Sequence, residues 1–198
     1  MKYFPVDYSS SIIKDYVSNF EYGFDIVKSL HLIIDSLIQS LDKTCFIEKE
    51  NRVFIHKGAS VSESATIVGP CVIYDGVKVL PNAYIRENVI LEKNSFIGHS
   101  VEIKNSLVME NAVVAHFNYV GDSILGKYTH LGAGAIISNF RLDHEIINVD
   151  GLSTGTDKLG AIIGEYTEIG ANAVINPGSI IYSNKKIYPL TSIKGIVK

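Results

Sequence analysis

The chain has 198 residues, 46% of them hydrophobic and 20% charged, which is enough apolar material for a buried core and argues against disorder. Its 18 basic and 21 acidic residues leave a net charge of −3, so there is no bulk basic field for nucleic acid or anionic lipid. Cys45 and Cys71 form neither a metal-ligand spacing nor a disulfide framework, the usage expected in a reducing compartment.

At the N-terminus, Met1-Lys2-Tyr3-Phe4-Pro5 is followed by no apolar h-region, so no signal peptide is expected. The most apolar early stretch, 26–41, is broken by Lys28, His31 and Asp35 and is shorter than the ~20 residues a membrane span requires. A cytoplasmic protein without membrane association is expected. Ile12, Ile13, Tyr16, Val17 and Phe20 suggest a short helix, and Ile26, Leu30, Ile33, Ile34, Leu37 and Leu41 a longer one with Asp25 as its N-cap. Residues 1–50 therefore read as an amphipathic helical segment, expected to cap the lower end of the domain formed by the rest of the chain or to pack on a neighbouring subunit.

From Ile55 the chain carries a six-residue repeat. Steps of six land on Ile55, Val61, Ile67, Ile73, Val79, Ile85, Leu91, Ile97, Ile103 and Met109. A second series, four residues behind each, is mostly smaller: Ala59, Ala65, Cys71, Val77, Ala83, Val89, Ser95, Val101, Leu107 and Val113. The phase slips near Gly121-Asp122, resumes at Leu125, Leu131 and Ile137, and is interrupted over about 138–162. It returns as Ile163, Ile169, Ile175, Ile181, Ile187 and Ile193. Neither a helix nor simple alternation has this period. It fits a parallel β-helix, mainly β, in which three hexapeptides close one coil and the large residues form a central column. Residues 51–198 are expected to form it.

Two cations then stand out. Arg86 and Lys104 each follow an inward position and lie 18 residues apart, so a three-hexapeptide coil stacks them about 5 Å from each other. Stacked cations repel unless solvent or an anion screens them, and spacing alone leaves a solvated pair and a phosphate or carboxylate site both open. His116 lies 12 residues past Lys104, on what the period makes a different face, meeting the cations across a subunit groove. A neutral imidazole there suits proton abstraction from an attacking amine or hydroxyl. Zinc is the alternative use of His99, His116 and His130, but their offsets from the repeat place His99 and His116 oppositely and supply no metal-ligand spacing, so no metal is expected.

The repeat resembles the hexapeptide-repeat acyltransferases over about 53–198, which implies a left-handed, single-stranded β-helix and a homotrimer. From Lys104 onward the resemblance narrows. Ala115-His116-Phe117-Asn118-Tyr119-Val120-Gly121-Asp122, Leu131-Gly132-Ala133-Gly134, Ser138-Asn139-Phe140, Lys158 and Gly160-Ala161-Ile162-Ile163-Gly164 are similar to the acetyltransferase half of the bifunctional UDP-N-acetylglucosamine pyrophosphorylase/glucosamine-1-phosphate N-acetyltransferases and their archaeal relatives. That resemblance implies His116 as general base. It implies Arg86, Lys104, Tyr119, Asn139 and Lys158 as contacts to an amino-sugar phosphate, with Ala133 and Ala171 against the co-substrate acetyl-CoA. His130 stands where the bacterial family has a substrate-binding asparagine. The interruption over 141–158 is expected to be an exposed arm at an interface or over the groove. No Gly-rich nucleotide motif precedes the repeat, so acetyl transfer without pyrophosphorylase activity is expected.

Overall fold

The computed structural model describes residues 5–198; the stretch 1–4, part of the signal-peptide reading, lies outside the described residues. From Val53 onward the chain winds as a three-faced parallel β-solenoid. The first face holds Val53–His56, Cys71–Ile73, Val89–Leu91, Ser106–Val108, Ile124–Leu125, Ala161–Ile163, Ser179–Ile181 and Ile196–Val197, joined at its lower edge by the antiparallel strand Phe46–Lys49. The second face holds Ser60–Val61, Lys78–Val79, Phe96–Ile97, Val113–Val114, His130–Leu131, Glu168–Ile169 and Lys186–Ile187. The third holds Thr66–Ile67, Tyr84–Ile85, Glu102–Lys104, Tyr119–Gly121, Ile136–Ile137, Val174–Ile175 and Ser192–Ile193.

The column runs through Ile73, Val79, Ile85, Leu91, Ile97 and Ile103, as the period requires, and then through Val108, Val114 and Val120 before Leu125, Leu131 and Ile137. The slip therefore begins one coil earlier than the hydrophobicity suggests. Met109 and Leu107 belong to a second cluster outside the solenoid, and Val113 is an outward residue; Ser106 and Ala112 fill the small series there. All departures from six fall on one edge. Steps from first to second face and from second to third are six throughout, as in Leu91 to Ile97 to Ile103 and Val108 to Val114 to Val120. Steps from third to first run Ile67 to Ile73, then Ile103 to Val108, Val120 to Leu125, Ile137 to Ile163 and Ile193 to Val197. Two are a residue short, one carries the arm and the last is two residues short. Asn105 and Asp122 turn the short corners in left-handed backbone, at φ 43° and 48°.

The N-terminal segment differs from expectation in place as well as in detail. Helices α1 (Lys14–Val17), α2 (Gly23–Lys28) and α3 (Leu30–Ser40) lie along the outside of the first face; they do not plug an end. Asp25 sits inside the first turn of α2, whose N-cap is Tyr22, and the chain breaks at Ser29 before α3 begins. Leu30, Ile33, Ile34 and Leu37 form the buried stripe of α3. The cause lies on the sheet, where the outward residues of the first face are aliphatic or aromatic in successive coils: Phe54, Val72, Ile90, Leu107, Ile124, Ile162 and Ile180. A parallel sheet apolar on both sides must be covered.

The segment before α1 runs beside the first-to-second edge. Pro5 O accepts from Ser183 Oγ at 3.0 Å, Asp7 N–H donates to Glu165, and Ser11 Oγ donates to Glu92. Glu92 is 2% exposed and also accepts from Ile12 N and Glu110 N, each at 3.2 Å. Burial raises its pKa above the ordinary 4.5, against these hydrogen bonds. The folded state thus keeps this proton to higher pH than the unfolded chain. Its contribution is full below the unfolded value of 4.5 and is lost as pH rises through the folded value. Urea unfolding of Glu92→Gln across pH 4 to 8 is expected to lack this decline; parallel profiles for wild type and variant would contradict it.

Candidate functional site

The third face is bordered by two different edges. At its entry, the second-to-third edge, the chain turns through His99, His116, Ala133 and Ala171 in successive coils. Phe117 N–H donates to His99 O at 3.1 Å, Gly134 N–H to His116 O at 2.8 Å, and Asn172 N–H to Ala133 O at 2.9 Å. His99 and His116 both stand two residues past an inward position and share this edge, contrary to the opposed placement expected from the slipped phase. Close stacking here depends on Gly98, where an added Cβ would lie 1.4 Å from Ala115 O. The His116 ring is exposed, 6.5 Å from the Phe117 ring between centroids. Inside the same edge, buried Asn118 donates to Gly132 O at 2.8 Å and Ala135 O at 3.1 Å, holding the turn that carries Ala133 over His116.

The exit, the third-to-first edge, carries the cations. Arg86 N–H donates to Ile103 O at 2.8 Å, so Lys104 follows directly above Arg86 as the 18-residue spacing requires. Arg86 Nη1 donates to Glu102 Oε1 at 3.0 Å and the guanidinium lies 5.9 Å from the Tyr84 ring centroid. One coil higher, Asp122 N–H donates to Lys104 O, and Gly160 N–H to Asp122 O, each at 2.9 Å. Asp122 is 4% exposed, and its carboxylate accepts from Asn105 Nδ2 at 2.7 Å and from Asn139 Nδ2. Tyr119 stands on the face between the two edges, hydrogen-bonded to Asn139. Burial, then the carboxylates of Asp122 and Glu102, raise its pKa, keeping the hydroxyl protonated at neutral pH. Gly121 makes room for this pair, since a Cβ there would lie 2.6 Å from Tyr119 Oη and 2.8 Å from Asn139 Nδ2.

His116 and the cations therefore flank one face of one subunit, where the period suggested separate faces. His116 and Gly121, the residue paired with Lys104 of the coil below, are five positions apart in one coil. Three residues join the network that the sequence pattern did not mark as site residues: Glu102, Asn105 and Asp122. For Asn105 and Asp122 the signal is the pair of shortened corners; Glu102 lies on the strand before the first of them.

The remaining candidates lie apart. His130 is an outward residue of the second face, with Nδ1 2.9 Å from Glu168 Oε2 in the next coil. Lys158 closes the base of the arm opposite Phe140, its Nζ 3.5 Å from that ring's centroid. The arm itself packs Ile147 and Val149 beside the helices, and Lys28 Nζ donates to Thr154 O at 2.8 Å. Leu142 is fully exposed, beside a groove of about 480 Å³ lined by Phe140, Val174 and Pro177. Among the described residues no group of three or more His, Cys, Asp and Glu is placed to hold a metal, and no helix is long and apolar enough to cross a membrane.

The sequence profile described as the GMPPB C-terminal domain matches residues 67–197. A bifunctional sugar-1-phosphate nucleotidylyltransferase/acetyltransferase of Sulfurisphaera tokodaii is 36% identical over 182 residues, covering 85% of this chain and 45% of that protein. The chain thus spans about half the length of that relative. The uncharacterized acetyltransferase YaiX of Escherichia coli is 32% identical over 156 residues, covering 77% of this chain and 68% of that one. A hexapeptide transferase family protein from Anaplasma phagocytophilum shares the fold at a TM-score of 0.55 and 20% identity, over 70% of this chain and 74% of that chain.

Proposed function

The chain belongs to the GMPPB C-terminal domain family, and from that premise we propose that it is an acetyl-CoA-dependent N-acetyltransferase for an amino-sugar phosphate, glucosamine 1-phosphate first among the candidates. The observation that carries the reading is the third face, with a histidine on one edge and two stacked cations on the other. Relatives that are named as acetyltransferases add to it.

Arg86 and Lys104 hold the phosphate, the Tyr119 hydroxyl reaches it from the face between the edges, and Asn139 contacts the sugar. That leaves the 2-amino group toward His116. The amine nitrogen attacks the thioester carbonyl carbon, the C–S bond breaks, and CoA leaves as its thiol. His116 takes the proton that the nitrogen sheds and returns it to the departing sulfur. Acetyl-CoA runs along the entry edge, past Ala133 and Ala171. Because Asn118 fixes that turn beforehand, binding orders little backbone, and much of the rate comes from holding amine and thioester together. His130 and Lys158 reach this groove from a neighbouring copy in a homotrimer, and the protein works in the cytoplasm.

Thiol release from acetyl-CoA tests the reading, with glucosamine 1-phosphate and a panel of other amino sugars and amino-sugar nucleotides as acceptors. Release that needs both substrates is expected with an amino-sugar phosphate. Turnover only with a sugar nucleotide would move the acceptor class. No turnover with any amine, alongside calorimetric binding of a sugar nucleotide, would replace the enzyme by a binding protein.

A further inference from the structure

Asp122 is the buried carboxylate nearest the third face, and acetyl transfer with His116 as base makes no use of it. It sits at the second of two successive short corners, in left-handed backbone, 4% exposed. Its oxygens face two side-chain amides, Asn105 Nδ2 at 2.7 Å and Asn139 Nδ2. An ionised carboxylate only accepts hydrogen bonds, so it selects the NH₂ end of each amide.

That choice propagates. Asn139 Nδ2 carries two hydrogens. One goes to Asp122. The other is available to the Tyr119 oxygen, which converges with Nδ2 over Gly121. A tyrosine oxygen that accepts from an amide directs its own proton away from that amide. Here the outward direction is the face flanked by Arg86 and Lys104, where an anionic acceptor would lie.

We propose that Asp122 is a positioning residue: through Asn139 it sets the Tyr119 hydroxyl as a hydrogen-bond donor to the anionic group of the acceptor. This rests on the acetyl-transfer reading, and it predicts that acceptor binding suffers when the polarity of the network is reversed, even with the network intact.

The reversal can be built. In the double variant Asp122→Asn/Asn139→Asp, Asn105 still donates to the oxygen at position 122, and the amide at 122 donates to the new carboxylate at 139. That carboxylate, however, only accepts, so it draws the Tyr119 proton inward and faces the acceptor's own negative charge. The single variant Asp122→Asn loses the charge and frees the Asn139 amide to flip.

The experiment compares wild type, Asp122→Asn and the double variant by thermal unfolding, by steady-state kinetics in both substrates, and by calorimetric titration with glucosamine 1-phosphate. Expected is a rise of about tenfold or more in acceptor KM and Kd for both variants, from loss of a charge-assisted arrangement, with the KM for acetyl-CoA unchanged. The double variant is expected to unfold close to wild type. Acceptor affinity equal to wild type in the double variant, or in a folded single variant, overturns the proposal. Equal rises in KM for both substrates overturn it too, since they mark a general structural loss. Should the single variant fail to fold, acceptor affinity equal to wild type in the double variant still overturns the proposal. Absence of turnover in wild type would fall on the acetyl-transfer reading, and the calorimetric arm would still judge Asp122.

Discussion

Replacing His116 by alanine is expected to lower the rate of CoA release by about 10²–10⁴-fold, the range for loss of general acid–base assistance. The ring stands at the entry edge of the third face, exposed and 6.5 Å from the Phe117 ring between centroids. A side chain with those surroundings contributes little to folding, so thermal unfolding of His116→Ala should match wild type. The turn beneath it is held by backbone, with Gly134 N–H on His116 O at 2.8 Å, and survives the substitution. Acceptor KM should move little, because the phosphate is held on the opposite edge. Wild-type rates in the variant would remove His116 from the chemistry. A large rise in acceptor KM at constant kcat would recast it as a binding residue.

The second large effect lies far from the site. Ile90→Ala, in the middle of the first face, is expected to destabilise the protein by about 2–5 kcal/mol, measured by urea unfolding. Ile90 is fully buried between the solenoid and the N-terminal helices, in the same cluster as Leu30, Ile33 and Ile34. The cavity left by the substitution would be walled by a sheet on one side, which cannot collapse without breaking its ladder. Leu32→Ala on the outer side of α3, where Leu32 is 59% exposed, should stay within about 0.5 kcal/mol of wild type. Equal effects at the two positions would mean that the helices are not packed on this face.

The architecture was legible because six-residue periodicity is a packing requirement repeated in every coil, and a single strong example such as Ile85, Leu91, Ile97 and Ile103 exposes it. The slip was harder. Around 107–109 three apolar residues stand together, and Leu107, Val108 and Met109 are all fully buried, two of them outside the column. Hydrophobicity cannot tell an inward residue from one covered by a helix. The same ambiguity held the clue to that helix's place, since doublets such as Phe54-Ile55, Val72-Ile73 and Ile90-Leu91 recur every third hexapeptide and mark a face apolar on both sides. Asp25 looked like an N-cap because nothing local shows that Tyr22 already starts the turn. The stacked pair Arg86 and Lys104 followed from arithmetic, whereas the link between Asp122 and Asn139 depends on corners whose shortening appears only once the column is traced.

Every change of chain length falls on the third-to-first edge, while the other two edges keep a constant count. That separation gives the molecule a seam. Residues gained or lost elsewhere would rotate every later side chain out of its place, as a shifted reading frame garbles a message. Along the seam they are absorbed at a bend, and the next coil begins in phase. The cations, the buried carboxylate and the arm all sit on it. Recognition can therefore drift over generations by trimming or extending corners, without asking the isoleucine column to repack. Stability and specificity are written on different edges of the same prism.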